Sequence, residues 1–200
     1  MREGVLSKID KGFTIVIPEK PSREIKLSDI FRVFIDSWRI KLAMLSPFPG
    51  HYPKAASISH CQIDGKDPLR FFVLDKWEIE RGAGGGWNRK TQRHSSGGMK
   101  FGWYFGSRLL PVRTIINPEI IEHSAEAFQS REGCMSFPTK NLIAIRRYVW
   151  VKVRFWSFLG PRVRKLYYFR SALVQHELDH MGNMTIFERQ RSKNKLPWKK

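Results

Sequence analysis

Residues 176–180 read His-Glu-Leu-Asp-His. On an α-helix, positions four apart lie one turn apart on the same face, so His176 and His180 can grip one metal ion. Glu177 follows the first histidine and can reach a water activated beside such an ion, where a carboxylate accepts its proton. A catalytic zinc-type site takes three protein ligands and keeps one position open. After His180 no histidine remains and Glu188 is the only glutamate. That disfavours metallopeptidases whose third ligand lies downstream. Upstream, Glu132-Gly133-Cys134-Met135-Ser136 offers a thiol behind a glycine. By spacing alone, Cys134 is as readily a buried structural thiol, as free cysteines often are. His60, His94 and His123 stand alone and read as surface or packing residues.

These groups need elements to hold them. Apolar residues at 30, 33, 34, 38, 42 and 45 fit one helical face, opened by Ser28 as N-cap and stopped by Pro47 and Pro49. Phe13 to Ile17 is a short β-prone run ended by Pro18, and Leu69 to Leu74 reads as a buried strand. Thr114-Ile115-Ile116 predicts another short strand, halted by Asn117-Pro118. From Tyr148 to Phe158 the pattern alternates. Val149, Val151, Val153 and Phe155 face one way, and Trp150, Lys152, Arg154 and Trp156 the other. That is a half-buried strand with a basic outer face. Gly160-Pro161 marks a turn, Val163 to Phe169 the return strand, and Arg170 onward a helix ending near Gly182.

With these elements in place, two motifs carry a resemblance. Glu132-Gly133-Cys134-Met135-Ser136 and His176-Glu177-Leu178-Asp179-His180 resemble the second and third motifs of peptide deformylases, E-G-C-φ-S and H-E-x-D-H. Ala172 and Gln175 also match, and Thr114 to Ile120 resembles the strand before the second motif. The first family motif, G-φ-G-φ-A-A-x-Q, is met only by a divergent stretch, Ala55-Ala56-Ser57-Ile58-Ser59-His60-Cys61-Gln62. Ile58 and Gln62 fall in register. Ala55 and Ser57 replace both glycines, and His60 replaces an alanine. Arg147 falls where a basic residue is expected to pair with Glu132, and Tyr148 where a proline is common.

The resemblance implies an α+β fold: a compact peptide-deformylase-like domain with β-strands around the metal-binding helix. It implies one catalytic domain over 1–200, with a glycine-rich basic insertion at 76–113 and a basic tail at 189–200. Cys134, His176 and His180 would hold one divalent metal, ferrous iron first, with zinc or nickel as alternatives. Glu177 would act as base and then acid. The Gln62 side chain and the Met135 backbone N–H would face the developing oxyanion. Peptide would lie extended beside Ser57, Ile58 and Gly133. The implied activity removes formyl from the N-terminal formyl-methionine of nascent polypeptides, releasing formate.

Length and charge set the outer bounds. Two hundred residues suit one domain, and no apolar run approaches the roughly 20 residues of a membrane helix. Met1 to Val5 lacks the layout of a signal peptide, and two cysteines are too few for a disulfide scaffold, so a reducing cytoplasm is expected. The net charge of +18 is segmental. Residues 76–113 carry net +6, 145–170 net +8 and 188–200 net +5, whereas 114–144 and 171–187 are each net −2. The proposed chemistry thus sits in mildly acidic segments. The basic ones suit docking to the ribosome or its RNA. The alternative function is a catalytically impaired deformylase-like protein serving as a basic RNA- or ribosome-binding module.

Overall fold

The structure is a computed structural model that describes residues 7–8, 14–15, 19–44, 56–74, 113–137 and 142–192. Residues 76–112 of the insertion, His94 among them, and residues 193–200 of the basic tail lie outside the described residues.

Five strands form the main sheet in the order β3-β4-β5-β8-β9, antiparallel throughout: β3 Ser57–Ser59, β4 Phe71–Leu74, β5 Thr114–His123, β8 Trp150–Ser157 and β9 Gly160–Tyr167. Two short pairs complete the described strands, β1 Ser7–Lys8 with β2 Thr14–Ile15, and β6 Ala127–Glu132 with β7 Ile143–Tyr148. Among the described residues three α-helices accompany them: α1 Ile30–Met44, α2 Tyr168–Met181 and α3 Ile186–Arg191.

The sheet separates two apolar clusters because strand residues alternate faces. Ile58, Phe71 and Val73 point toward α1 and pack with Val33, Ile40 and Met44. Phe72, Val151 and Val153 point the other way and pack with Val174, Leu178 and Met181 of α2. A third cluster joins Cys134, Ile145 and Ile186 beneath α3. The hairpin at Gly160 is where glycine is required, since its φ is +99°.

Four expectations change. Helix α1 is not opened by Ser28, which lies inside a 3-10 turn, Leu27–Asp29. The Asp29 carboxylate instead accepts the Lys26 N–H at 2.9 Å and a two-pronged ion pair from Arg23. Of the face read at 30, 33, 34, 38, 42 and 45, Val33 is buried and Trp38 half-buried, Ile30 and Phe34 are exposed, and the side chains at 42 and 45 lie outside the described residues. The buried face is Val33, Asp36, Ser37, Ile40, Lys41 and Met44. Its polar members are buried because they find partners: Ser37 accepts from Thr114, and Asp36 meets His60 and Arg39.

Strand β5 does not stop at Asn117-Pro118. Asn117 takes a positive φ of 46°, its side chain bonds both backbone groups of Ile25, and a register shift lets the strand continue. Lastly, the segment read as a tail from Arg189 begins inside α3, where Thr185 caps the helix and Arg189 is buried.

Candidate metal centre

Helix α2 carries the His-Glu-Leu-Asp-His run through the middle of the protein. Its lining is polar, yet each group has a partner. Ser171 donates to the Tyr148 carbonyl at 2.9 Å, and Gln175 accepts the Tyr148 N–H at 3.1 Å. These bonds close the backbone where β7 gives way to β8, and they fix the rotation of α2. The helix therefore presents His176 and His180 to one place.

Cys134 meets them there. Among the described residues, Cys134, His176 and His180 form a group whose ligand atoms all lie within 4.8 Å of one another. Cys134 Sγ lies 3.2 Å from His180 Nε2, which lies 3.1 Å from His176 Nε2. Ligands at ordinary metal distances around a tetrahedral ion stand roughly 3.3–3.6 Å apart. The donor set therefore fits a divalent transition metal in spacing and in chemistry.

The electrostatics point the same way. Burial opposes ionisation of Cys134, yet the His180 and His176 imidazoles outweigh it and bring the thiol down to about 5. Burial likewise opposes the imidazolium of His176, but Cys134 and Glu132 hold that ring's pKa well above its usual range. Cys61, the other cysteine, is fully buried, and burial together with the Glu177 charge pushes its thiol up. Of the two thiols, only Cys134 is prepared to be a ligand.

Behind the ligands runs a buried ionic chain. His176 Nδ1 donates to Glu132 at 2.9 Å, leaving Nε2 turned to the site. Arg147 grips both oxygens of Glu132 at 2.8 Å and reaches Asp179 at 2.6 Å. Arg189 of α3 closes on the same Asp179 carboxylate. The expected Arg147–Glu132 pair is present. Its extension through Asp179 to Arg189 was not read from sequence, where Arg189 looked like one more basic tail residue.

Arg147→Met removes the centre of this chain and leaves two buried carboxylates short of donors. We expect it to lower unfolding stability by about 3–5 kcal/mol in urea. The pH dependence has a definite sign. Burial raises the Glu132 pKa, and Arg147 and His176 more than offset this, holding it at about 2 against an ordinary 4.5. The resulting stability is present above 4.5 and lost as pH falls toward 2. The variant should show a shallower loss across that window.

Of the first-motif residues, Ser57 and Ser59 contact Glu177. Gln62 sits in the 3-10 turn His60–Gln62, with its Oε1 accepting the Ser59 N–H at 2.9 Å and its Nε2 donating to Ser136 at 3.0 Å. His60, read as a packing residue, is one. Its Nδ1 accepts the Leu69 N–H, so Nε2 donates to Asp36 at 3.1 Å. His123 stacks on Tyr148 at 3.9 Å between ring centres.

Ile58 is buried in the α1-side core. Met135 packs, partly buried, against that core, and Gly133 is exposed, a Cβ there meeting Leu142 at 3.2 Å. Ser57 and Ser59 both donate to Glu177, at 2.5 Å each. Ser59 was not among the residues expected at the site. The signal that finds it is its place two residues after Ser57 on a strand.

Comparison with known proteins places this arrangement. A family model described as polypeptide deformylase matches residues 84–196. The match begins within the segment read as an insertion, and it leaves the first motif outside. A peptide deformylase of Thermotoga neapolitana is 40% identical over 76 residues, covering 38% of this chain and 46% of that protein. One of Rickettsia prowazekii is 40% identical over 68 residues, covering 34% and 38%. The chain thus spans less than half the length of these curated relatives.

In fold, the crystal structure of the Thermotoga maritima peptide deformylase matches with a TM-score of 0.59 at 22% identity, covering 88% of this chain and 96% of that one. A class I type b peptide deformylase of Acinetobacter baumannii matches at 0.57 and 16%, covering 92% and 99%. The mixed α+β fold is therefore shared, and with more than half of its residues matched by the family model, this chain belongs to the peptide deformylase family.

Proposed function

We propose that the protein is a metal-dependent amide hydrolase that removes formyl from the N-terminal formyl-methionine of nascent peptides, releasing formate. The observation that carries this reading is the grouping of Cys134, His176 and His180, with Glu177 next to the first histidine on the same helix. Family membership supports it. The Acinetobacter baumannii deformylase is a Met-Ala-Ser-bound structure, and a peptide beginning with methionine is the ligand class proposed for this chain. The test is formate release from formyl-Met-Ala-Ser by metal-loaded protein; absence of release overturns the reading.

Cys134, His176 and His180 would hold the metal. The thiolate suits borderline-soft ions, so ferrous iron is proposed first, with zinc or nickel as substitutes. When bound, such an ion supplies Lewis acidity toward a carbonyl oxygen and acidifies water. The chain's own groups do the remainder. Glu177 accepts the proton of the attacking water and returns it to the departing amine. Glu132 keeps the His176 ring oriented. Gln62 and the Met135 N–H donate to the oxygen on which negative charge develops.

Peptide would add alongside β3, which is an edge strand of the main sheet among the described residues. Residues two apart on a strand send their amides to the same side, so the Ser57 backbone faces as the Ser59 N–H does, toward Gln62. Ser57, Ile58 and Gly133 would flank the peptide.

Gln62→Leu is expected to lower kcat by about 10²–10³ while metal content stays unchanged. An unaffected kcat would remove Gln62 from the oxyanion site.

The proposed place of action is the reducing cytoplasm, at the ribosome. No helix among the described residues is long and apolar enough to cross a membrane. The β8–β9 hairpin exposes Arg162 and Arg164, and Lys165 lies 3.5 Å over the Trp150 ring. This basic and aromatic face suits ribosomal RNA. A binding-only role finds less support, since the three ligands and Glu177 are retained together.

A further inference from the structure

The Glu177 carboxylate lies buried, 2% exposed, and among the described residues its side-chain partners are two hydroxyls. Ser57 donates to Oε1 and Ser59 to Oε2, at 2.5 Å each. The geometry follows from the strand. Side chains at i and i+2 project from the same face, about 6.7 Å apart, and a carboxylate set between two such hydroxyls can receive one on each oxygen. Ile58 between them points to the opposite face, into the α1-side core. The chain around the clamp is itself held. Ser59 N–H is tied to Gln62, and β3 pairs with β4 over its whole length.

Among the described residues no cation contacts Glu177, and the two groups that hold it are neutral donors. In the register already described, Ser57 stands where the family pattern has a glycine and Ser59 where it has an alanine. Neither of those residues carries a donor. The clamp gives two of the substituted positions of the divergent motif a shared purpose.

We propose that Ser57 and Ser59 are positioning residues that hold the Glu177 carboxylate for proton transfer, replacing by side-chain donors what glycine and alanine at these positions cannot supply. The catalytic part of this rests on the deformylase reading; the physical part does not. A carboxylate held by both oxygens has one orientation toward the attacking water. Misplacement of a reacting group by about 1 Å can cost roughly 10² in rate.

Two measurements test the clamp. In metal-free protein, Ser57→Ala/Ser59→Ala should lower the thermal midpoint by about 6 °C, because it strips both donors from a buried carboxylate. In a Glu177→Met background the same pair should shift the midpoint by less than about 2 °C, since no carboxylate is left to hold. Equal shifts in both backgrounds overturn the proposal, whatever the substrate.

In metal-loaded protein assayed with formyl-Met-Ala-Ser, the double substitution should lower kcat about 30-fold, leave KM within about threefold, and leave metal content unchanged. A kcat within about threefold of the parent overturns the catalytic role. If the double variant does not fold, Ser57→Ala alone should show the same pattern at about fivefold, and an unchanged kcat again overturns it. Failure of the parent protein to release formate would instead sink the deformylase reading, and the metal-free cycle would still judge the clamp.

Discussion

Glu177→Gln should reduce formate release by about 10²–10⁴-fold with one metal still bound per chain, the range seen when a general base is lost. Glutamine preserves the shape of the side chain, and its amide oxygen can still accept from one serine, but it cannot carry a proton between water and amine. Glu177 is not one of the three grouped ligand residues, so metal content should not follow activity. Peptide binding should also survive, leaving KM within a few fold and placing the loss in kcat. Turnover within about tenfold of the parent would mean that another group moves the proton. Glu177→Ala should be as inactive and, by emptying a buried site between Ser57 and Ser59, less stable as well.

Why some of this site was legible in the sequence and some was not follows from the range of the signals. The histidines and Glu177 share one helical turn, a local regularity, so their face could be read from spacing. Cys134 needed the resemblance, because β7, β8 and β9 intervene between it and α2 and no local rule spans them. The alternation from Trp150 to Trp156 was visible because β8 buries one face against α2. Helix α1 misled for a related reason. Its apolar residues Phe31, Phe34 and Ile35 are exposed, while Asp36 and Ser37 are buried. Apolar periodicity marks the inner face only when polar groups stay outside, and His60 and Thr114 supply partners from distant strands that allow Asp36 and Ser37 in. Arg189 was hidden in the same way, since its partner Asp179 is ten residues back, across a helix boundary.

The first motif lies between these cases. Ser57 and Gln62 could be placed by register with a known pattern, but the pattern assigns neither serine a side-chain task. Their shared direction on β3 was implicit in the two-residue spacing. Glu177 as the group they face became apparent only when α2 was packed against that strand. The divergence of the motif therefore reads as a substitution of means. Two small residues of the family pattern are exchanged for two hydroxyl donors aimed at the Glu177 carboxylate.

Cys134→Ala should lower metal content to below about one tenth per chain after dialysis against a chelator, and formate release should fall in proportion. The thiolate is the anionic member of the donor set; without it two imidazoles remain, and these bind divalent ions far less tightly. Cys61→Ala is the matched control. That thiol is buried, is pushed up by its surroundings and is outside the ligand group, so its removal should leave metal content unchanged. The same reasoning gives a direction with pH. In metal-free protein the Cys134 thiol stands at about 5, and His176 holds its proton well above the usual range. Metal must displace the His176 proton at neutral pH and must also compete for the thiol near pH 5. Zinc affinity should therefore rise from pH 6 to pH 8, by up to about tenfold per pH unit for one released proton. An affinity flat across this interval would mean that His176 is already free of its proton, and that the ion pair with Glu132 and the thiolate does not set the state of the empty site.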